Sequence, residues 1–209
     1  MEIHVVNHPL IKEKMTRLRA AETESPLFRQ LLDQIAQLLL FEVTRDLPVK
    51  EVPVTTPLAT TTGYALDVSS ITVVPILRAG LGFLDAVLDL IPEANAGHIG
   101  LYRDAKTLKP IEYYCKMPQD KNAQVIVIDP MLATGGSGAA AITMLKQKGY
   151  KNIRFMCLVA APEGVQVLNK EHPDVKIYAA ALDDHLNDHG YIVPGLGDAG
   201  DRVFGTVVK

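Results

Sequence analysis

Val125-Ile126-Val127-Ile128-Asp129-Pro130-Met131-Leu132-Ala133-Thr134-Gly135-Gly136-Ser137-Gly138 is the stretch that decides the fold. Four consecutive β-branched apolar residues read as a strand buried on both faces, the habit of a parallel sheet. Asp129 closes that strand, a glycine-rich turn follows, and Ala139–Lys148 reads as a helix. Strand, acidic tip, glycine turn and helix start suit a phosphate-bearing sugar. The first N–H groups of a helix and its partial positive charge attract phosphate. Glycine lets the backbone come close, and a carboxylate at Asp129 can accept hydrogen bonds from two neighbouring sugar hydroxyls. The same residues also fit an ordinary strand–turn–helix corner of any α/β protein, so the motif by itself leaves both readings open.

The same alternation continues on either side. Ile71–Leu77, His98–Tyr102, Gln124–Asp129, Ile153–Ala160 and Val175–Ala181 read as strands, with Leu81–Leu90, Ala139–Lys148 and Pro162–Glu171 as helices. A β-α-β progression predicts an α/β fold, a mainly parallel twisted sheet with helices on both faces, whose ligands sit at the C-terminal ends of the strands. Residues 10–46 read as two helices, with Ser25 capping the second and Pro26 at its first helical position. Leu27, Phe28, Leu31, Leu32, Ile35, Leu38 and Leu39 make that helix's apolar stripe. Residues 49–66, rich in Pro and Thr, read as an edge strand or arm. This organisation is one domain over 1–209: N-terminal helices and arm in 1–70, core sheet in 71–182 and a hood loop in 183–209.

A chain of 209 residues, 48% hydrophobic and 22% charged, suits one ordinary soluble globule. Its formal net charge of −3 argues against nucleic acid as a partner, which calls for a basic face. Cys115 and Cys157 lie in apolar, strand-like surroundings without CxxC spacing, and read as buried free thiols in a reducing compartment. The N-terminal segment lacks the basic-then-apolar order of a signal peptide. No apolar run reaches the ~18–20 residues of a membrane span. The expectation is a cytoplasmic protein with neither nucleic acid nor membrane as partner.

Thr72-Val-Val-Pro-Ile-Leu-Arg78-Ala79-Gly80 is a second strand that ends at a sharp turn. Arg78 carries a forked, permanent charge suited to phosphate oxygens, or alternatively to a surface acid such as Asp85. Leu101-Tyr102-Arg103-Asp104 closes a third strand and leads into a polar, mobile loop that runs to Pro110.

The string Asp129-Pro-Met-Leu-Ala-Thr-Gly-Gly-Ser137 resembles the phosphoribosyl-pyrophosphate (PRPP) loop of type I phosphoribosyltransferases. Its particular form is similar to that of one branch, the uracil phosphoribosyltransferases. Most relatives carry two adjacent acids here, whereas Asp129 is followed by Pro130. The resemblance implies that Asp129, Pro130, Met131, Leu132, Ala133, Thr134, Gly135, Gly136 and Ser137 bind PRPP. It makes Arg78-Ala79-Gly80 the pyrophosphate turn, and implies that Arg103 reaches the pyrophosphate when the loop behind it closes and excludes water. Relatives tend to have acids after that Arg-Asp pair; Ala105 and Lys106 stand here instead. Val159-Ala-Ala-Pro-Glu-Gly164 also looks like a family stretch that packs a helix beside the site.

The C-terminal string His189-Gly-Tyr-Ile-Val-Pro-Gly-Leu-Gly-Asp-Ala-Gly-Asp-Arg202 contains GxGxxG at residues 195–200. A dinucleotide site needs those glycines between a strand and a helix, with an acid about 20 residues on. Nine residues follow Gly200, and Val203–Val208 reads as a strand, so the match is a decoy. The alternative is a rigid loop that presents backbone groups to a small base. Uracil shows acceptor, donor and acceptor along one edge, and fixed backbone groups can match that order without flipping. Cytosine reverses two positions, and an unpaired buried polar group costs about 1–3 kcal/mol. The string closely resembles the uracil-binding loop of the family. This implies that Ile192, Gly197 and Ala199 contact uracil through the backbone, and that Asp198 faces both the base and the PRPP ribose or its metal. Asp183-Asp184-His185 and Asp188-His189 could suggest a metal cluster, but read better as a polar loop leading into the base pocket.

The implied reaction converts uracil and PRPP to uridine monophosphate and diphosphate. Arg78, Arg103 and Asp198 are its candidate catalytic residues, with Mg2+ as a cofactor held mainly by PRPP. The family tends to form homodimers or larger assemblies, with the apolar N-terminal helices as a possible interface, and GTP stands as an effector to be tested. Three rival readings stay open: a regulatory RNA-binding relative, an NAD-dependent oxidoreductase and a transferase for another base.

Overall fold

The computed structural model describes residues 2–103 and 110–206. The chain opens with β1 (His4–Val5), α1 (Pro9–Arg19) and α2 (Ser25–Val43), followed by the hairpin β2 (Val49–Thr55) and β3 (Thr60–Leu66). β4 (Ile71–Leu77) leads through a 3-10 turn (Ala79–Phe83) into α3 (Leu84–Leu90), then β5 (Asn95–Ala96), β6 (His98–Arg103) and β7 (Pro110–Lys116). Next come β8 (Gln124–Ile128), β9 (Met131–Leu132), α4 (Gly136–Gln147), β10 (Asn152–Ala160), α5 (Pro162–Glu171) and β11 (Lys176–Leu182). Short strands β12 (His185–Leu186) and β13 (Ile192–Val193) and a last helix, α6 (Ala199–Phe204), complete it.

The main sheet has the order β1-β11-β10-β8-β4-β6-β7, with β5 beside β4 and β9 beside β10. Every pairing in it is parallel except β6 with β7. Alternate residues of a strand face opposite sides, and here both sides are apolar. Ile71, Val73, Ile126, Ile128, Met156 and Leu158 face one core, which is closed by Ile11, Leu18, Phe28, Leu31, Ile35 and Leu39 of α1 and α2. Val74, Ile76, Val125, Val127, Phe155 and Cys157 face the other, closed by Ala141, Ile142 and Leu145 of α4 and Val165 and Leu168 of α5. That explains the unbroken apolar runs and bears out the α/β reading.

Several expectations change. The second helix starts behind Glu24, with no side-chain capping bond, so Ser25 lies in the first turn rather than at the cap. The helix expected over Leu81–Leu90 divides into the 3-10 turn and α3. Pro110–Lys116 is a strand, paired antiparallel with β6. Val203 is in a helix, not a strand: the Asp198 side chain accepts a hydrogen bond from the Asp201 N–H and starts α6, and Gly205 at φ 68° ends it. Residues 104–109, where the sequence reading expects a mobile loop, fall outside the described residues, as do residues 207–209. Among the described residues no helix is long and apolar enough to cross a membrane.

Candidate active site

The site is built where parallel strands end together. Pro75 is in register with Ile128 and Ile76 with Ile99, so the turn after β4, the loop after β8 and the end of β6 share one edge of the sheet. Arg78 leaves β4 at that edge, through a cis Leu77–Arg78 peptide, and is exposed. It forms no ion pair with Asp85 or with any other described carboxylate, so its charge is available to a ligand. A Cβ on Gly80 would stand 2.6 Å from the Ile128 carbonyl oxygen, so the turn lies directly on the exit of β8. Arg103 closes β6, opposite Pro110.

The glycine turn leads directly into α4. Gly135 precedes α4 with φ 80°, and Ala139 donates its N–H to the Gly135 carbonyl at 2.9 Å. A Cβ on Gly135 would meet the Gly164 carbonyl at 2.9 Å, and one on Gly164 would meet the Ala133 carbonyl at 2.4 Å. The start of α5 therefore lies against the loop, and the Val159–Gly164 stretch packs as the sequence suggested. The hood closes over the same loop: Gly190 comes within 3.8 Å of the Thr134 methyl, measured from where a Cβ would sit. Glu163 ties the hood to α5 by accepting the Leu186 N–H at 3.0 Å.

Asp129 as a residue is half-buried, but its carboxyl is packed about by protein. Burial pushes its pKa up to about 7, against the opposing effect of the Met131 N–H donated to it. Burial, and next the charge of Asp129, push the Cys157 thiol above its usual range. Cys157 is buried and free, while Cys115 is only half-buried, so the expectation of two buried thiols holds for one.

The base loop follows β13. Pro194 is cis, and Gly195 and Gly197 have φ of 60° and 80°. A Cβ on Gly195 would stand 2.1 Å from the Ile192 carbonyl oxygen, so only glycine fits this turn. Ile192, Ala199 and Gly200 are buried, and Gly197 and Asp198 are exposed. Gly200 brings α6 against the pyrophosphate turn, with 3.6 Å from its Cβ position to the Ala79 Cβ. One Asp198 oxygen caps α6 at 2.8 Å from the Asp201 nitrogen.

Three residues that sequence reasoning did not assign to the site hold this loop. Arg19 donates to both Asp183 oxygens at 2.7 and 2.6 Å and to the Gly195 carbonyl at 2.7 Å. Asp183 accepts the Gly195 N–H at 2.8 Å. Arg202 donates to the Leu196 carbonyl at 2.9 Å and the Ala20 carbonyl at 2.7 Å, with its guanidinium 4.6 Å from the Phe28 ring centre. Together with Arg19 and Arg202 the loop borders a cleft of about 720 Å3 shared with the α1–α2 turn. Among the described residues no three His, Cys, Asp or Glu side chains converge as a metal cluster.

Comparison with known proteins now bears on this arrangement. The uracil phosphoribosyltransferase family model matches residues 5–206. The uracil phosphoribosyltransferase of Dictyoglomus turgidum is 58% identical over 97% of this chain and 98% of its own. That of Bacillus velezensis is 58% identical over 98% of this chain and 99% of its own. A solved protein of Aquifex aeolicus superposes with a TM-score of 0.93 at 36% identity, covering 99% of this chain and 100% of its own. A purine phosphoribosyltransferase of Pyrococcus horikoshii, at 16% identity and a TM-score of 0.52, shares the fold over 75% of this chain and 85% of its own. The chain belongs to the uracil phosphoribosyltransferase family.

Proposed function

We propose that this chain transfers the 5-phosphoribosyl group of PRPP to N1 of uracil, forming uridine monophosphate and diphosphate, a salvage reaction that reuses free base. One observation carries the reading beyond family membership: the three loops that resemblance assigns to pyrophosphate, ribose phosphate and base touch one another. Gly80 lies on Ile128, Gly190 on Thr134 and Gly200 on Ala79. Three ligand portions of one reaction need that adjacency.

The C1–O bond to diphosphate breaks, the C1–N1 bond to uracil forms, and the N1 proton leaves. Arg78 and Arg103 balance charge on the departing diphosphate. The Pro130–Ser137 loop and the first turn of α4 cradle the 5-phosphate, and Asp129 accepts from the ribose hydroxyls. Ile192, Gly197 and Ala199 hold the uracil edge through the backbone. In this reading Asp198 takes the N1 proton or faces the ribose. Its helix-capping bond occupies one oxygen, which leaves the other for that work. Carboxylate and diphosphate oxygens suit Mg2+, with PRPP as chief chelator and Asp198 the protein oxygen at hand; the ion supplies charge neutralisation of the leaving group when bound.

The rival readings lose ground on specific features. The GxGxxG glycines lead into a helix of six residues, too short for a dinucleotide-binding unit. The net charge of −3 disfavours a regulatory RNA binder. We also propose a homo-oligomer assembled through the β2–β3 hairpin, a cytoplasmic setting in keeping with free Cys115 and Cys157, and GTP as an effector to be assayed.

The test is an assay with PRPP, Mg2+ and labelled uracil, run beside cytosine, hypoxanthine and adenine, with and without GTP. Uridine monophosphate from uracil alone is the expected result. Product from another base overturns the reading of residues 191–200, and no product from any base while PRPP still binds overturns the enzymatic reading.

A further inference from the structure

The base loop has an odd mechanical position. It carries two glycines at positive φ, and while Ile192, Leu196 and Ala199 are buried in the core, Pro194, Gly197 and Asp198 are exposed along an open cleft. Apolar packing therefore cannot be all that fixes its shape. Backbone recognition of a base works only if the amide planes are fixed, because a peptide that rotates can present either a donor or an acceptor.

The structure fixes two successive planes, the peptides on either side of the Gly195 Cα. At Gly195 the carbonyl accepts from Arg19 at 2.7 Å and the N–H donates to Asp183 at 2.8 Å. Arg19 and Asp183 are joined to each other by two further bonds of 2.7 and 2.6 Å. Their side chains are only 23% and 5% exposed. Asp183 is itself anchored to the sheet, its N–H donating to the Ala160 carbonyl at 2.9 Å, while the next residue, Asp184, donates to Val193 at 3.0 Å. Arg19 is the last residue of α1. A largely buried ion pair contributes little net stability, since desolvation offsets its attraction. What it gives here is registry: two rigid elements, α1 and the end of β11, meet at one residue of the base loop, Gly195.

We propose that Arg19 and Asp183 are positioning residues for the base. They lock Gly195 so that the backbone at Ile192, Gly197 and Ala199 presents one fixed order of donors and acceptors. The proposal rests on reading residues 191–200 as the uracil loop. A lysine at position 19 keeps the charge but lacks the planar fork that meets both Asp183 oxygens and the Gly195 carbonyl together. An asparagine at 183 keeps the shape and one acceptor, but turns a donor toward Arg19.

The experiment compares Arg19→Lys, Asp183→Asn and a surface control, Arg45→Ala, with the unaltered chain. KM for uracil, KM for PRPP, kcat and the uracil-to-cytosine ratio of kcat/KM are measured, with a thermal melt of each protein. KM does not depend on the fraction of enzyme folded, so partial misfolding leaves the readout intact. The expected result for both variants is a rise in uracil KM of about tenfold, or ~1.4 kcal/mol. PRPP KM stays within about twofold, and the uracil-to-cytosine ratio narrows by about tenfold or more. Uracil KM within about twofold of the unaltered chain overturns the proposal, as does a parallel rise in both KM values, which signals general loosening. The two levels of reading fail differently. An unaltered chain that does not use uracil sinks the uracil reading, whereas one that does, with variants that match it, sinks only the role of Arg19 and Asp183.

Discussion

Gly164 lies so close beneath Ala133 that a Cβ there would stand 2.4 Å from the Ala133 carbonyl oxygen and 2.7 Å from that of Leu132. Both neighbours are backbone, and real Cβ atoms do not approach so near. Gly164→Ala must therefore displace the 132–135 segment or tilt the start of α5. The displaced segment is the one we assign to the 5-phosphate, while the base loop has its own anchors at Arg19, Asp183 and Arg202. The expected outcome is a rise in PRPP KM of about tenfold or more with a smaller change in uracil KM. Initial-rate kinetics with each substrate varied would check it, and an unchanged PRPP KM would remove Gly164 from the account.

Asp129 supplies a pH dependence whose sign can be worked out. Burial holds its carboxyl at a pKa of about 7 in the free protein, far above the ordinary carboxylate value of 3.8. Sugar hydroxyls donate to the ionised form, so PRPP binding and proton loss from Asp129 go together. PRPP KM should fall as pH rises from about 6 to about 8, and binding should release a proton, seen by calorimetry in buffers of different ionisation enthalpy. Because the shift is upward, the ionised carboxyl also weakens folding: stability is lost as pH rises above 3.8 and levels off beyond about 7. Asp129→Asn should abolish the extra proton release. A release that persists in that variant would place the titrating group elsewhere, PRPP itself included.

Asp198 has two duties that a single substitution can separate. One oxygen caps α6 through the Asp201 N–H at 2.8 Å. Asparagine caps a helix about as well as aspartate, whereas alanine costs about 1 kcal/mol. Asp198→Asn should therefore keep α6 and the melting temperature, and remove only the charge. If that charge serves the transition state, kcat should fall far more than uracil KM rises. Asp198→Ala should add a loss of stability on top. The opposite pattern in Asp198→Asn, raised KM with kcat intact, would reduce Asp198 to a binding and capping residue.

Much of this arrangement could be read from the chain because its signals are local. Ile71–Leu77 and Pro162–Glu171 have the bounds expected from their apolar runs and flanking Pro or Gly. The Asp129–Ser137 motif is contiguous, so its turn and helix start were visible without tertiary knowledge. Misreadings came where a neighbour outweighed intrinsic preference. Val203 favours a strand by side-chain type, but the Asp198 cap and the burial of Val203 in the core put it in a helix. The hydroxyl of Ser25 looks like a cap, yet the chain enters α2 one residue earlier, at Glu24. Arg19 carried no local sign of its role, because its partner Asp183 is 164 positions away. Asp183 shows in the sequence only as part of an acidic, histidine-containing stretch.

The β2–β3 hairpin sets up the last prediction. Its strands pair from Val49 with Leu66 to Thr55 with Thr60, and among the described residues neither pairs with any other strand. An isolated two-stranded ribbon is marginal in water. This one also exposes large apolar groups: Leu58 at 96%, Tyr64 at 70% and Val49 at 57%. The N-terminal helices offer less, because Phe28, Leu31, Leu32, Ile35 and Leu39 are used up in the chain's own core, leaving Leu10, Leu27 and Phe41 outside. The hairpin is therefore the better candidate for the face that joins copies of the chain. The double variant Leu58→Asp, Tyr64→Ser should sediment as a smaller species than the unaltered chain and keep its helical content. Equal masses in analytical ultracentrifugation would exclude the hairpin as the joining element, and a unaltered chain that sediments as a monomer would exclude the assembly itself.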